Sequence, residues 1–133
     1  MSSAMSLGPS DRKRLRLVPP GPTAAQGLAE RTDDELVLLS AAGARDAFAV
    51  LVARHQARVV AFCARSTGNA DVGRDLAQDV FLEVWRAAPR YRPTGQFLAW
   101  LFAQARNRVV SHARRAHERA VRTAVAADAL ALD

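Results

Sequence analysis

Residues 75–85 read Asp75-Leu76-Ala77-Gln78-Asp79-Val80-Phe81-Leu82-Glu83-Val84-Trp85, and the spacing inside this stretch decides the fold. Leu76, Val80 and Val84 recur at four-residue steps and Ala87 follows three later, so they stack on one face of an α-helix, with Ala77 and Phe81 on its flank. Asp75, Gln78, Asp79, Leu82 and Arg86 repeat at steps of three and four on the opposite face, bordered by Trp85. A strand would need apolar residues at every second position, and none does that here. The spacing predicts a helix from about Val72 to Ala88, with Asp71 as its cap and Pro89 closing it.

The same reading extends outward. Thr32 with Glu35 three residues later is a capping-box pattern before Leu36, Val37, Leu38 and Leu39. It predicts a first helix from about Asp33 to Ala41 that stops near Gly43. A second helix is expected from about Arg45 to Ser66, with Phe48, Leu51, Val52, His55, Val59 and Phe62 on its apolar stripe. Thr67-Gly68-Asn69 should end it, since Gly and Asn accept a left-handed cap. A fourth helix is expected from near Gln96, after the loop Arg90 to Gly95, and to continue to about Arg122. It should bury Phe97, Leu101, Ala105 and Val109, with Leu98, Trp100 and Phe102 beside them. No segment alternates like a strand between turn signals, so the fold class is all-α, a compact bundle of about four helices.

Both ends read differently. Residues 1–28 hold four of the six prolines and the cluster Arg12-Lys13-Arg14-Leu15-Arg16 without helical or alternating period, which predicts a disordered basic tail. Residues 29–122 should form the helical domain, and residues 123–133 read as the start of a linker or C-terminal tail. The chain of 133 residues is about one domain's worth. Its single cysteine, Cys63, excludes a disulfide scaffold and fits a reducing cytoplasm. A strictly apolar run such as Ala47 to Ala53 is far short of the roughly 20 residues that span a bilayer, and none in the chain is longer, so no membrane partner is expected.

Charge points to a partner. Nineteen Lys and Arg against thirteen Asp and Glu give a net +6, which favours a polyanion. The excess is concentrated: Arg106, Arg108, Arg114, Arg115, Arg119 and Arg122 face one acid, Glu118, within the fourth helix. Asn107, Ser111 and His112 lie among them, and Arg90, Tyr91 and Arg92 precede them in the loop. Basic groups neutralise phosphates, while amides and an aromatic ring can hydrogen-bond to and stack on unpaired bases. On the third helix, Leu82 and Trp85 among carboxylates match a protein-docking surface, where apolar anchors supply burial and rim charges supply orientation. A solvated charged stripe is the ordinary alternative for either surface. Catalytic constellations are missing: His112 and His117 are five apart, off the four-residue spacing of helical zinc ligands, and Gly95 is isolated. Neither an enzyme, nor a metal, nor a cofactor is expected. His55 reads as a satisfied core-edge histidine and Cys63 as inert and buried.

The run from Asp75 to Trp85 resembles the core-binding helix of bacterial sigma factors. Phe97-Leu98-Ala99-Trp100-Leu101 followed by Ala105-Arg106-Asn107 resembles the F-x-A-W-L…A-R-N signature of the extracytoplasmic-function (ECF) group of the sigma-70 family, and the two blocks stand in the family's order and spacing. The resemblance covers roughly Arg31 to Arg119 and implies a region 2 helical domain. It implies that Asp75, Gln78, Asp79, Leu82, Trp85 and Arg86 contact core RNA polymerase, at the β′ clamp helices. It implies that the loop, with Arg90, Tyr91, Arg92, Thr94 and Gln96, holds a base flipped from the promoter minus-ten element. Arg106, Asn107, Arg108, His112 and Arg115 would then grip the single non-template strand. Phe97 and Trp100 lie on the apolar stripe and should pack in the core. Ser111 stands where the family often has Asp, and Arg74 where an acid is common. An anti-sigma protein is a further candidate partner, and the cytoplasm is the implied location. A stand-alone module that binds polymerase or an anti-sigma protein without opening DNA is the rival reading, and a basic bundle without base preference is a third. Family members carry a second domain that reads the minus-thirty-five element, so the chain is expected to be either a fragment or a one-domain relative.

Overall fold

The computed structural model describes residues 27–132. Residues 27–32, which belong to a separate N-terminal unit, form a helical turn in which the Glu30 N–H donates to the Gly27 carbonyl at 3.3 Å. The expected tail, apart from Gly27 and Leu28, lies outside the described residues, as does the Arg12–Arg16 cluster. The unit from Asp33 onward contains α1 (Asp33–Ala41), α2 (Arg45–Thr67), α3 (Ala70–Ala87), a 3-10 turn (Ala88–Arg90) and α4 (Phe97–Leu132). No strand occurs among the described residues, and the all-α bundle stands.

Each break has a local cause. Asp33, Asp34 and Glu35 occupy the first turn of α1, where carboxylates complement the helix dipole. Gly43 ends it with φ 98°, its N–H on the Ser40 carbonyl and the Ala44 N–H on Leu39, the paired bonds of a Schellman motif. Gly68 ends α2 with φ 73° and a 2.8 Å bond to the Ala64 carbonyl. The cap of α3 is Asn69, whose side chain accepts the Val72 N–H at 3.0 Å, and not Asp71 as expected. Asn69 has the extended backbone a cap needs, whereas Asp71 already lies inside the first turn and pairs with Arg74.

Leu36 and Val37 of α1, Leu51, Val59 and Cys63 of α2, Leu76, Val80 and Val84 of α3, and Phe97, Leu101 and Ala105 of α4 form the core. α2 is long and apolar enough, by length and composition alone, to cross a membrane. Here its inner stripe faces the core, while Arg54 and Arg58 near its middle are exposed. α3 approaches α2 tightly at Gly73, where a Cβ would sit 2.6 Å from the Ala64 backbone nitrogen.

α4 runs ten residues past its expected end at Arg122, over the stretch read as a linker. The added segment is rich in Ala, with Leu and no Gly or Pro to stop it, so propensity carries the helix onward. Every residue from 117 to 131 is exposed, so the second half of a helix about 54 Å long projects beyond the core.

Gly73→Ala should destabilise the domain. Alanine in a helix interior ordinarily gains up to about 1 kcal/mol over glycine, but overpacking against backbone costs about 1–3 kcal/mol and wins here. A urea midpoint that rises in the variant would contradict this packing.

Candidate protein and nucleic-acid interfaces

The outer face of α3 is open. Asp75, Gln78, Leu82 and Arg86 are exposed, Leu82 to 52%, while Asp79 and Trp85 are half-buried. Trp85 packs edge-on against Phe48 of α2, with ring centroids 5.1 Å apart. Beside this face lies a groove of about 850 Å³, walled by Phe48, Val52, Gln56 and Val60 of α2 and by Ala77, Gln78, Phe81 and Leu82 of α3. Phe48 and Val52, assigned from the sequence to the core stripe, are half-buried and line this groove instead. The signal was present: 48, 52, 56 and 60 form a second stripe at four-residue steps, one position C-terminal to 47, 51, 55 and 59.

The loop before α4 is built from α1. One carboxylate oxygen of Asp34 accepts the Tyr91 hydroxyl, and the other accepts the Gly95 N–H at 2.7 Å. Tyr91 was expected to offer its ring to bases. It is buried, 7% exposed, with its ring against Trp100 (centroids 5.0 Å) and Phe97 (5.9 Å). Burial raises its phenol, and the neighbouring Asp34 and Asp33 carboxylates raise it further, so the hydroxyl stays a donor. Arg90, Arg92, Thr94 and Gln96 remain exposed along the loop. Phe97 is buried and Trp100 half-buried, as core packing requires.

On α4, Arg106, Asn107 and Arg115 are exposed and His112 is half-buried. Arg108 differs from its expected role as a free cation: it donates to Glu83 of α3 at 3.4 Å, and Glu83 also faces Arg86 at 3.8 Å. The cause is the α3–α4 crossing, which lays Arg108 over the one acid at that level and half-buries both. By helical spacing Arg108, Arg115, Arg119 and Arg122 share a side with Ser111 beside them, whereas Arg106 and Arg114 point elsewhere. Glu83, Gln104, Asn107, Arg108 and Ser111 line a shallow polar cleft of about 210 Å³.

Behind both surfaces sits a polar tie that the sequence suggested only through His55. His55 is 3% exposed, with Nε2 2.9 Å from Asp33 and Nδ1 3.0 Å from Arg58. A guanidinium only donates, so Nδ1 accepts and the neutral ring carries its proton on Nε2, toward Asp33. Burial would raise the Asp33 carboxyl, but hydrogen bonds from His55 and Arg54 outweigh it and hold the group below the ordinary carboxylate range. Cys63 is buried, which pushes its thiol up and away from reactive thiolate. Among the described residues no three His, Cys, Asp or Glu are grouped to hold a metal.

The chain belongs to the sigma-70 family: a sequence model of Sigma-70 region 2 matches residues 51–119. It is 46% identical over 65 residues to the RNA polymerase sigma factor CarQ of Myxococcus xanthus, covering 49% of this chain and 37% of that one. It is 40% identical over 87 residues to the ECF RNA polymerase sigma factor SigK of Mycobacterium ulcerans (63% and 46%), and 33% identical over 88 residues to the ECF RNA polymerase sigma-E factor of Escherichia coli (63% and 46%). The chain therefore spans less than half the length of these relatives. No solved structure matches it.

Asp33→Asn should remove about 1–3 kcal/mol of stability at neutral pH by leaving His55 without its carboxylate partner. Because the folded-state pKa lies below the unfolded value of about 3.9, that stability is whole above this value and is lost as the pH falls through the folded-state pKa. Urea unfolding across acid pH should show a shallower loss in the variant, and identical acid limbs would refute the assignment.

Proposed function

We propose that this chain is a sigma-factor region 2 module that binds core RNA polymerase and recognises and melts the promoter minus-ten element. The observation that carries the proposal is the separation of two surfaces. One is an apolar groove lined by Phe48, Val52, Gln78, Phe81 and Leu82, with Arg74 as its charged wall, beside the exposed α3 face that carries Asp75 and Arg86; the other is an exposed loop leading into an arginine-rich helix. The domain, expected over residues 29–122, is read here as beginning at Asp33, since residues 29–32 fall in the separate N-terminal unit, and the projecting end of α4 continues it.

The first surface suits a coiled coil, and the β′ clamp helices are the proposed occupant. A partner helix laid along the groove covers Leu82 and the half-buried Phe48 and Val52, while Asp75, Asp79 and Arg86 on the adjoining face of α3 orient it. The second surface suits a melted strand. Opening DNA costs about 1.4 kcal/mol per base-pair step. Holding an extruded base at the loop offsets part of that cost, and neutralising the non-template phosphates along α4 offsets more. Arg92, Thr94 and Gln96 supply loop contacts; Asn107, His112 and Arg115 supply contacts from the helix, while Arg106, on the opposite side of α4 from Arg115, is left out of this set. Tyr91 acts from inside as part of the loop's foundation, and Arg108 reaches DNA only by exchanging Glu83 for a phosphate. Neither role calls for a cofactor or a catalytic group. Polymerase as partner places the chain in the cytoplasm.

Leu82→Asp and Asp79→Arg should each weaken binding to a β′ clamp-helix fragment by about tenfold or more, the scale of a central interface residue, without loss of helicity. Unchanged affinity in a titration removes this face from the proposal. The full chain should prefer a single-stranded minus-ten non-template oligonucleotide over scrambled sequence, alone or with polymerase. Replacing Arg115 and Arg122 together by alanine should reduce the slope of log affinity against log salt by about 1.4, near 0.7 for each phosphate no longer neutralised. Arg108→Ala should change it less. Equal binding to scrambled DNA would reduce the chain to a non-specific basic bundle.

A further inference from the structure

We infer that Asp34, on α1, is the positioning residue for base recognition by the loop at 91–96. The inference rests on the reading of that loop as the base-holding element. Asp34 makes no proposed contact with DNA, and a bare carboxylate beside phosphates works against affinity. Its position makes sense through what it holds. The two oxygens of this one side chain take the two ends of the loop: the Tyr91 hydroxyl, 57 residues away in sequence, and the Gly95 N–H, 61 residues away.

Between these anchors the loop has little else. The Thr94 N–H closes a tight turn on the Arg92 carbonyl at 2.8 Å, and the chain enters from the 3-10 turn through the Tyr91 N–H on Ala88. Gly95 has φ 79° with nothing within 4 Å of where a Cβ would stand, so glycine serves the backbone angle there and not a shortage of space. The Tyr91 ring, wedged by Phe97 and Trp100, aims its hydroxyl at α1. α1 is itself held by the neighbouring Asp33 on His55 and Arg54. The clamp therefore sets how Arg92 and Thr94 are presented relative to α4.

That arrangement separates selectivity from affinity. Choosing one base over another needs donors and acceptors at fixed relative positions, and a loosened loop must be ordered again at each binding event. Phosphate neutralisation by arginines on a rigid helix tolerates such loosening. Loss of the Asp34 clamp thus lowers base preference and leaves the electrostatic part of binding in place.

The test uses the full chain, single-stranded oligodeoxynucleotides that differ at one minus-ten base, and hydrogen exchange at the Gly95 amide. Asp34→Ala should speed Gly95 exchange and cut the preferred-to-disfavoured affinity ratio by about tenfold, the scale of two modest hydrogen bonds. Its salt slope should equal that of the parent chain. Tyr91→Phe, which keeps the ring packing and removes one bond, should give a smaller loss in the same direction, and it decides the matter if Asp34→Ala fails to fold. Faster exchange with an undiminished ratio would leave Asp34 a purely structural cap and overturn the inference. So would unchanged exchange in both variants. A parent chain without any base preference would instead defeat the functional reading itself.

Discussion

Two adjacent carboxylates at the start of α1 link the surfaces of this domain. Asp33 turns inward to the buried His55 and to Arg54, fixing α1 on α2. Asp34 turns toward the loop and holds it at both ends. Consecutive residues at a helix N-terminus diverge by about a quarter turn, so a short helix can serve the core with one carboxylate and the loop before α4 with the next. Both acids lie in the first turn, where carboxylates complement the helix dipole.

The other constraint is the approach of α2 to α3 at Gly73 and Ala64. Packing this close brings the second stripe of α2, Phe48, Val52, Gln56 and Val60, beside Ala77, Phe81 and Leu82, and the groove is the space left between them. Trp85 packs on Phe48, one of the groove's walls. The groove is thus a product of two helices, although the residues that drew attention in the sequence as a docking surface all belong to one. On the other side, the Glu83–Arg108 pair ties α3 to α4 and takes one arginine out of the freely exposed set.

The helices were legible because their causes are local. Apolar steps of three and four, glycine at positive φ after α1 and α2, and proline after α3 each act within a few residues, and three of the four helices came out within about two residues of expectation. The exception was the end of α4, where no stop signal exists and alanine carries the helix to Leu132. The cap of α3 moved from Asp71 to Asn69 because more than one residue near that start can cap, and only the backbone angle selects one.

The sequence by itself determined the class of fold, the family to which the chain belongs, and the opposition between an acidic, tryptophan-bordered face on α3 and an arginine-rich α4. Those are properties of periodicity and of residue order. Only the tertiary structure decided that Tyr91 is a buried strut, that Arg108 has a partner on α3, and that Asp34 hydrogen-bonds to both Tyr91 and Gly95. Each depends on residues 25 to 61 positions apart meeting across a helix crossing. Helical spacing tells which face a side chain occupies. What stands opposite that face is set by packing, and packing chooses which polar groups are buried together.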